Sequence, residues 1–323
     1  MGQIVITDPG MKAFVEDLGR YGYQRYGVSV SGAVDELAAR TANFLVGNQA
    51  AEALIEITLK GLSLEFKTDT LFAITGSPCE YTLNGEPLPL WASRYAAAGD
   101  LLAGGFMTGG LRNYLAIAGG IDVPLIMGSR STNLRGKFGG YKGRELKKGD
   151  ILETGNTAAE KTPRPRRALK ACCIPRYGTD IDLRVISGPQ DEALTEAGMR
   201  TFLSSPYKVS FDSDRMGIRL AGEKIEHVKA ADIISDGIAF GSVQAPGDGQ
   251  PIIMLAERQT TGGYCKIATV ITADRSRLAQ ARPKCLICFH KVSMEEALEA
   301  LKEYRSFFDK LDEYCPVENQ ANL

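Results

Sequence analysis

Short apolar runs, each closed by a glycine or a polar turn, recur from one end of the chain to the other. Val5–Thr7, Leu62–Phe66, Leu71–Thr75, Asn113–Ala118 and Ile252–Leu255 are such runs, and tight turns are marked at Asn84-Gly85, Gly99-Asp100 and Gly149-Asp150. Apolar runs bounded by these dipeptides read as strands. Two of the turns lead into nearly the same residues, Gly99-Asp100-Leu101-Leu102 and Gly149-Asp150-Ile151-Leu152, as strands leaving a tight turn would. Many strands with few helices between them favour barrels or sandwiches over a parallel α/β sheet. The expected fold class is therefore mainly β, with a few short helices.

Three segments carry helical periodicity. From Val34 to about Val46, the residues Val34, Leu37, Ala38, Thr41 and Leu45 follow a 3.6-residue period, Ser31 is placed to cap the start, and Gly47 ends it. Ser187-Gly188-Pro189-Gln190 predicts a second start, with Ser187 as N-cap and Gln190 closing a capping box. The third runs from about Met294 to Leu311, where Ser293 and Glu296 have capping-box spacing and Leu298, Leu301, Tyr304, Phe308 and Leu311 form one stripe, suiting a plug or lid on a barrel.

A length of 323 residues fits about two domains. Lys161–Lys170, with two prolines among five cations, reads as a solvated linker, giving domains 1–160 and 171–323, the second carrying the C-terminal helix. Asp17-Leu18-Gly19-Arg20 is echoed by Asp214–Arg219, a hint of duplication. The net charge of −1 argues against nucleic acid as main partner, since that binding needs many phosphate-neutralising cations. No apolar run approaches a membrane span and the start lacks a signal-peptide pattern, so a cytoplasmic protein is expected. Seven scattered cysteines fit reduced thiols, with Cys285 and Cys288 on a buried strand. With only His227 and His290, a histidine-rich metal centre is excluded, and no metal is expected.

Four stretches could carry chemistry. In Ser213–Leu220, strand alternation would place Arg215, Gly217 and Arg219 on one face, a cradle for a carboxylate or phosphate, with Asp214 as orienter or base. In Glu257–Tyr264, an apolar strand runs into polar residues: Glu257 as acid or base, Gln259 and Thr260 as donors, Tyr264 as a wall. The plainer reading there is a hairpin with a type II turn at Gly262-Gly263. Asp17 and Arg20 precede Ser31, whose hydroxyl and neighbouring helix-start amides suit an anion, with Asn43 two turns on. Finally, Gly128–Asn133 and Gly139–Arg144 combine glycine, hydroxyls and cations without the order of a P-loop. Neither a nucleotide-binding signature nor a biotin-attachment lysine between methionines is present.

Taken in order, these stretches resemble the KipA family, also described as allophanate hydrolase subunit 2 and as the C subunit of 5-oxoprolinase, whose members are often labelled biotin-dependent carboxyltransferases. The blocks are Asp17-x-Gly-Arg20, Gly27-Val28 leading to Ser31-Gly-Ala33, Asn43 to Asn48, Glu56-Ile57 before Gly61, Gly110-x-Arg112-x-Tyr114, Gly128–Thr132, Gly188-Pro189-Gln190, Ser213–Leu220, Ser235-Asp236-Gly237, Gly241–Gln244 and Gln259–Tyr264. Val30, Glu257 and Cys265 stand where the family pattern has proline, aspartate and proline. The resemblance implies two cyclophilin-like barrels. It also implies work beside a KipI-like B subunit and an A subunit, in ATP-driven opening of 5-oxoproline to glutamate, with ATP and magnesium used at the level of the complex. Two alternatives are a regulatory protein that neutralises a KipI-like partner and a carboxyl-transfer module using biotin from another chain. On that reading Asp214, Glu257 and Asp17 are the acid/base candidates. Arg215, Arg219, Gln259, Thr260, Tyr264, Arg20, Ser31 and Asn43 are the substrate- and anion-binding candidates.

Overall fold

The computed structural model describes residues 2–155 and 164–317. The chain divides into two compact units: residues 1–20, 31–177 and 307–323 form the first, and residues 21–30 and 178–306 the second. The mainly β expectation holds.

In the first unit the strands form two sheets. One has seven strands in the order Ile121–Asp122, Ile151–Thr154, Gly2–Asp8, Ser63–Phe66, Leu101–Met107, Cys79–Leu83 and Glu86–Leu88; the other has five, Lys12–Glu16, Leu54–Thr58, Arg112–Ile117, Thr70–Gly76 and Ser93–Ala96. Ile4, Ile6, Leu64 and Phe66 of the first sheet share a core with Ile55, Ile57, Phe72 and Leu115 of the second. Thr70–Gly76 and Arg112–Ile117 are buried throughout because their other face is covered as well. There the Glu36–Leu45 helix packs Ala38, Ala42 and Leu45 against Leu71, Ala73, Tyr114 and Ala116. The helix is capped by Asp35, whose carboxylate accepts from the Ala38 amide at 3.1 Å, and not by Ser31. Ser31 sits in the left-handed region (φ 58°), and its hydroxyl accepts from Asn133.

Arg144 meets Asp150 through two parallel bonds of 2.7 and 2.8 Å at the Gly149-Asp150 turn. Burial raises the Asp150 pKa, but the Arg144 bond and the Lys147 amide outweigh it and hold the carboxyl below its ordinary range. A depressed folded pKa means stability that is full above the unfolded value and lost as pH falls through the folded one. Asp150→Asn should therefore remove about 1 kcal/mol at neutral pH and nothing in strong acid. Urea unfolding of the two forms at pH 7 and pH 2.5 checks this, and a penalty that persists at the lower pH rejects it.

Lys161–Pro163 of the expected linker lie outside the described residues. Arg164–Lys170 are not a solvated tether. Arg164 donates to the Val46 carbonyl and Asn48 Oδ1, the Leu169 amide to the Trp91 carbonyl, and Leu169 is buried in the first unit. Arg167 likewise has partners, stacking on Phe44 and pairing with Asp312.

The second unit is a closed barrel in the order Asp180–Ser187, Lys266–Val270, Ser242–Gln244, Ile252–Met254, Gly217–Ala221, Tyr207–Val209 and Leu286–Lys291. The parallel pairing of Asp180–Val185 with Leu286–Lys291 closes it. Apart from the barrel, Asp232–Gly237 and Thr261–Tyr264 make a two-stranded ribbon. Gly262-Gly263 therefore lies in a strand, where the sequence reading put a type II turn. Ser187–Gln190 does not start an α-helix: Ser187 ends a strand, and only the short 3-10 turn Asp191–Ala193 follows Gln190. The helix here is Glu196–Ser204, capped by Thr195 on the Gly198 amide. The capping box of Ser293 and Glu296 forms with both bonds, at 2.7 and 3.1 Å, and opens the Met294–Asp309 helix. A barrel plug would bury that helix's apolar stripe, yet Leu298 is 50% exposed and Leu301, Tyr304 and Phe308 are only half-buried, so it is no plug.

Candidate functional site

In the first unit, the residues expected to bind an anion are engaged by the chain itself. Asp17 accepts from the Gly19 amide at 2.8 Å, the Arg130 amide at 2.6 Å and the hydroxyls of Ser129 and Ser131. Those hydroxyls are consequently not turned to a phosphate. Arg20, fully buried, donates to the carbonyls of Ile126, Ser129 and Ser131 and lies 4.9 Å from the Phe138 ring centre. Burial pulls its pKa below the usual arginine range, with Asp17 and Glu16 opposing that pull. The amides around Ser31 are taken too: Gly32 donates to Glu16 and Val34 to Glu56, each at 2.9 Å. The Ser31 hydroxyl accepts from Asn133 at 3.5 Å. Asn43 donates to the carbonyls of Ala50 and Glu52 and accepts from Asn48, so it clamps the loop after its helix.

The other candidates lie in the second unit, and the structure separates two that the sequence paired. The Asp214 carboxylate, exposed, takes the Met216 and Gly217 amides at 2.8 and 3.2 Å and turns the chain there, so the strand begins only at Gly217. Alternation therefore does not reach back to Arg215. Arg219 is exposed, whereas Arg215 is 7% exposed and pairs with Glu257, 9% exposed, at 2.9 Å. Next to Glu257, Arg258 is buried and donates to the Ile238 and Leu255 carbonyls. Burial, helped by the like charge of Arg275, pushes its pKa down to about 10. Gln259 and Thr260 are half-buried, and Tyr264 is 42% exposed.

The same region gathers residues that sequence reasoning passed over. Lys266 lies directly opposite Gln244 in the barrel, where the register shifts between Val243 and Gln244. Such bulges re-aim side chains. The Lys266 ammonium, with 4% of its side chain exposed, reaches Asp236 at 2.6 Å on the ribbon. The Lys266 amide donates to Gln190 Oε1 at 3.1 Å. Lys266, first of all, holds the Asp236 carboxyl below its ordinary range. Asp236 in turn is paired in register with Gly262. A Cβ at Gly262 would lie 3.0 Å from Gln244 Nε2 and 3.4 Å from Gln259 Nε2, so the ribbon needs glycine to approach these amides. Gln190, Asp236, Gln244 and Gln259 thus converge from four separate blocks of sequence. The signal available earlier was that three of them end or centre glycine-bearing polar blocks, Gly188–Gln190, Ser235–Gly237 and Gly241–Gln244.

A barrel wall carrying a buried ammonium and side-chain amides beside a glycine-bearing ribbon is the candidate site of this mainly β chain. Residues 26–291 match the family described as carboxyltransferase domain, subdomain A and B, and the chain belongs to that family. It is 39% identical to the C subunit of 5-oxoprolinase from Escherichia coli over 306 residues, covering 95% of this chain and 96% of the relative. To the Haemophilus influenzae protein of the same name it is 36% identical, covering 95% and 97%. The solved Kluyveromyces lactis urea amidolyase superposes with a TM-score of 0.90 at 30% identity, covering 98% of this chain but only 21% of that one. The solved urea carboxylase of the same yeast gives a TM-score of 0.90 and 31% coverage of its own length. No helix among the described residues is long and apolar enough to cross a membrane.

Proposed function

We propose that this chain is the C subunit of an ATP-dependent 5-oxoprolinase, which opens 5-oxo-L-proline to L-glutamate together with a KipI-like B subunit and an A subunit. The observation that carries the reading is the 39% identity to a protein of that name across nearly the full length of both chains. The yeast relatives are several times longer than the region matched, so their activities as whole proteins do not transfer.

The chemistry asks for what the second unit offers. A lactam is a poor electrophile, and ATP makes its oxygen a better leaving group once phosphorylated. The protein then has to hold a carboxylate, position an amide carbonyl and manage a proton. Lys266, Gln244 and Gln259 supply donors, and the Arg215–Glu257 pair ties down the loop that carries Arg258 and Gln259 after the Ile252–Met254 strand. Asp236, on the Lys266 ammonium, and Glu257, two residues before Gln259, are the carboxylates placed here. Mixing the purified chain with its two partner proteins, 5-oxo-L-proline and MgATP should release glutamate, and omitting this chain should abolish the release. Glutamate release that is unchanged without it removes the proposal.

A further inference from the structure

The Lys266–Asp236 contact is asymmetric. The ammonium is almost wholly buried, with 4% of its side chain exposed, while 57% of the carboxylate's is exposed. A buried ammonium is costly unless paired, so the wall of the barrel carries a fixed positive charge whose counter-charge sits on an exposed strand of the ribbon. The ribbon's register breaks between Asp232 and Asp236, five of its six first-strand residues are exposed, and Ile234, within that break, is 93% exposed.

A second observation is independent of the ion pair. Gln244 is 2% exposed and its Nε2 has no hydrogen-bond partner among the described residues. A buried amide left without an acceptor costs about 1–3 kcal/mol, and such groups are rare unless a ligand or water completes them. Nε2 of Gln244 and Nε2 of Gln259 both lie beside Gly262, 3.0 and 3.4 Å from where a Cβ would stand, with Ile238 Cδ1 at 2.7 Å. The Lys266 ammonium and the Gln244 amide nitrogen are donors, and the Asp236 carboxylate, which Gln190 also bonds, is the acceptor on the ammonium.

We propose that Lys266, Gln244 and Gln259 form a subsite for a small carboxylate bearing a nearby carbonyl oxygen, and that the Asp236 carboxylate occupies the carboxylate position until the ligand displaces it. The ligand carboxylate replaces Asp236 on the ammonium, and its carbonyl oxygen accepts from the two amides. The choice of 5-oxo-L-proline as probe rests on the 5-oxoprolinase reading; the subsite does not.

The test is calorimetric titration of the full chain with 5-oxo-L-proline and with its uncharged carboxamide. The carboxamide should bind at least tenfold more weakly to the wild type. Lys266→Met should weaken 5-oxo-L-proline binding at least tenfold, and Asp236→Asn should tighten it severalfold by removing the internal competitor. Should Lys266→Met not fold, Asp236→Asn alone decides, because that position is exposed: tighter binding supports the subsite and unchanged or weaker binding overturns it. Equal affinity in all three forms, or no binding by the wild type at about 10 mM, an affinity worth less than about 3 kcal/mol, overturns it as well. If the assembled enzyme makes glutamate while these affinities fail to move, only the subsite is lost. If the affinities move as expected and the assembly stays silent, the subsite stands and the 5-oxoprolinase reading falls.

Discussion

Glu257→Ala is expected to destabilise the second unit by about 3–5 kcal/mol, shifting its urea midpoint down by about 1–2 M. Glu257 and Arg215 are 9% and 7% exposed and meet at 2.9 Å, and a backbone bond of 2.9 Å from the Glu257 amide to the Arg215 carbonyl runs beside the ion pair. Removing the carboxylate takes a counter-charge and an acceptor away from a buried guanidinium, which costs far more than the pair contributes net. The direction of the double replacement separates this account from a purely catalytic one. Arg215→Met combined with Glu257→Leu removes both charges together and should recover a large part of the lost stability, although neither residue then offers any acid, base or anion-binding group. Equilibrium unfolding of the wild type, Arg215→Met, Glu257→Leu and the double replacement completes the cycle. If Glu257→Ala unfolds like the wild type, the carboxylate is not needed for folding, and a direct role in proton transfer gains accordingly.

Local signals carried the parts of this fold that local physics decides. The Ser293–Glu296 box is a matter of four consecutive residues, and both its bonds form. The Asn84-Gly85 turn follows from backbone conformation alone, with both residues at positive φ (53° and 88°). The readings failed where a competing contact intervened. Ser31 has capping chemistry, but Glu16 and Glu56 take the amides at 32 and 34, and Asp35 caps instead. Arg215 and Arg219 have the spacing of one strand face, but the Asp214 carboxylate turns the chain between them. The candidate site was legible in fragments only. Gln259 and Thr260 were marked by the polar rim they belong to. Gln190, Asp236, Gln244 and Lys266 come together through strand register and a bulge, and no spacing in the sequence encodes which strands of a barrel are neighbours.

Asp17→Ala is expected to cost the first unit about 3–5 kcal/mol, because one carboxylate satisfies four donors and most of these would be left buried without an acceptor. The donors come from Gly19 and from residues 129–131, more than a hundred positions along the chain, so the carboxylate is the tie between the end of one core strand and the Gly128–Thr132 loop. Arg20 depends on the same tie, since its guanidinium is held by carbonyls of Ser129 and Ser131 on that loop. Asp17→Asn sharpens the test. An asparagine keeps the shape and one acceptor oxygen but turns an amide N–H₂ toward a donor, so it should retain only part of the stability, leaving a loss of about 2 kcal/mol. A general base answers differently: the asparagine form would then unfold like the wild type while losing activity by about a hundredfold or more in the assembled enzyme. Measuring both quantities on Asp17→Asn decides between the two roles. A full-strength fold with a dead enzyme would return Asp17 to the catalytic candidates, whereas a weakened fold whose remaining folded fraction turns over normally assigns it to the architecture of the first unit.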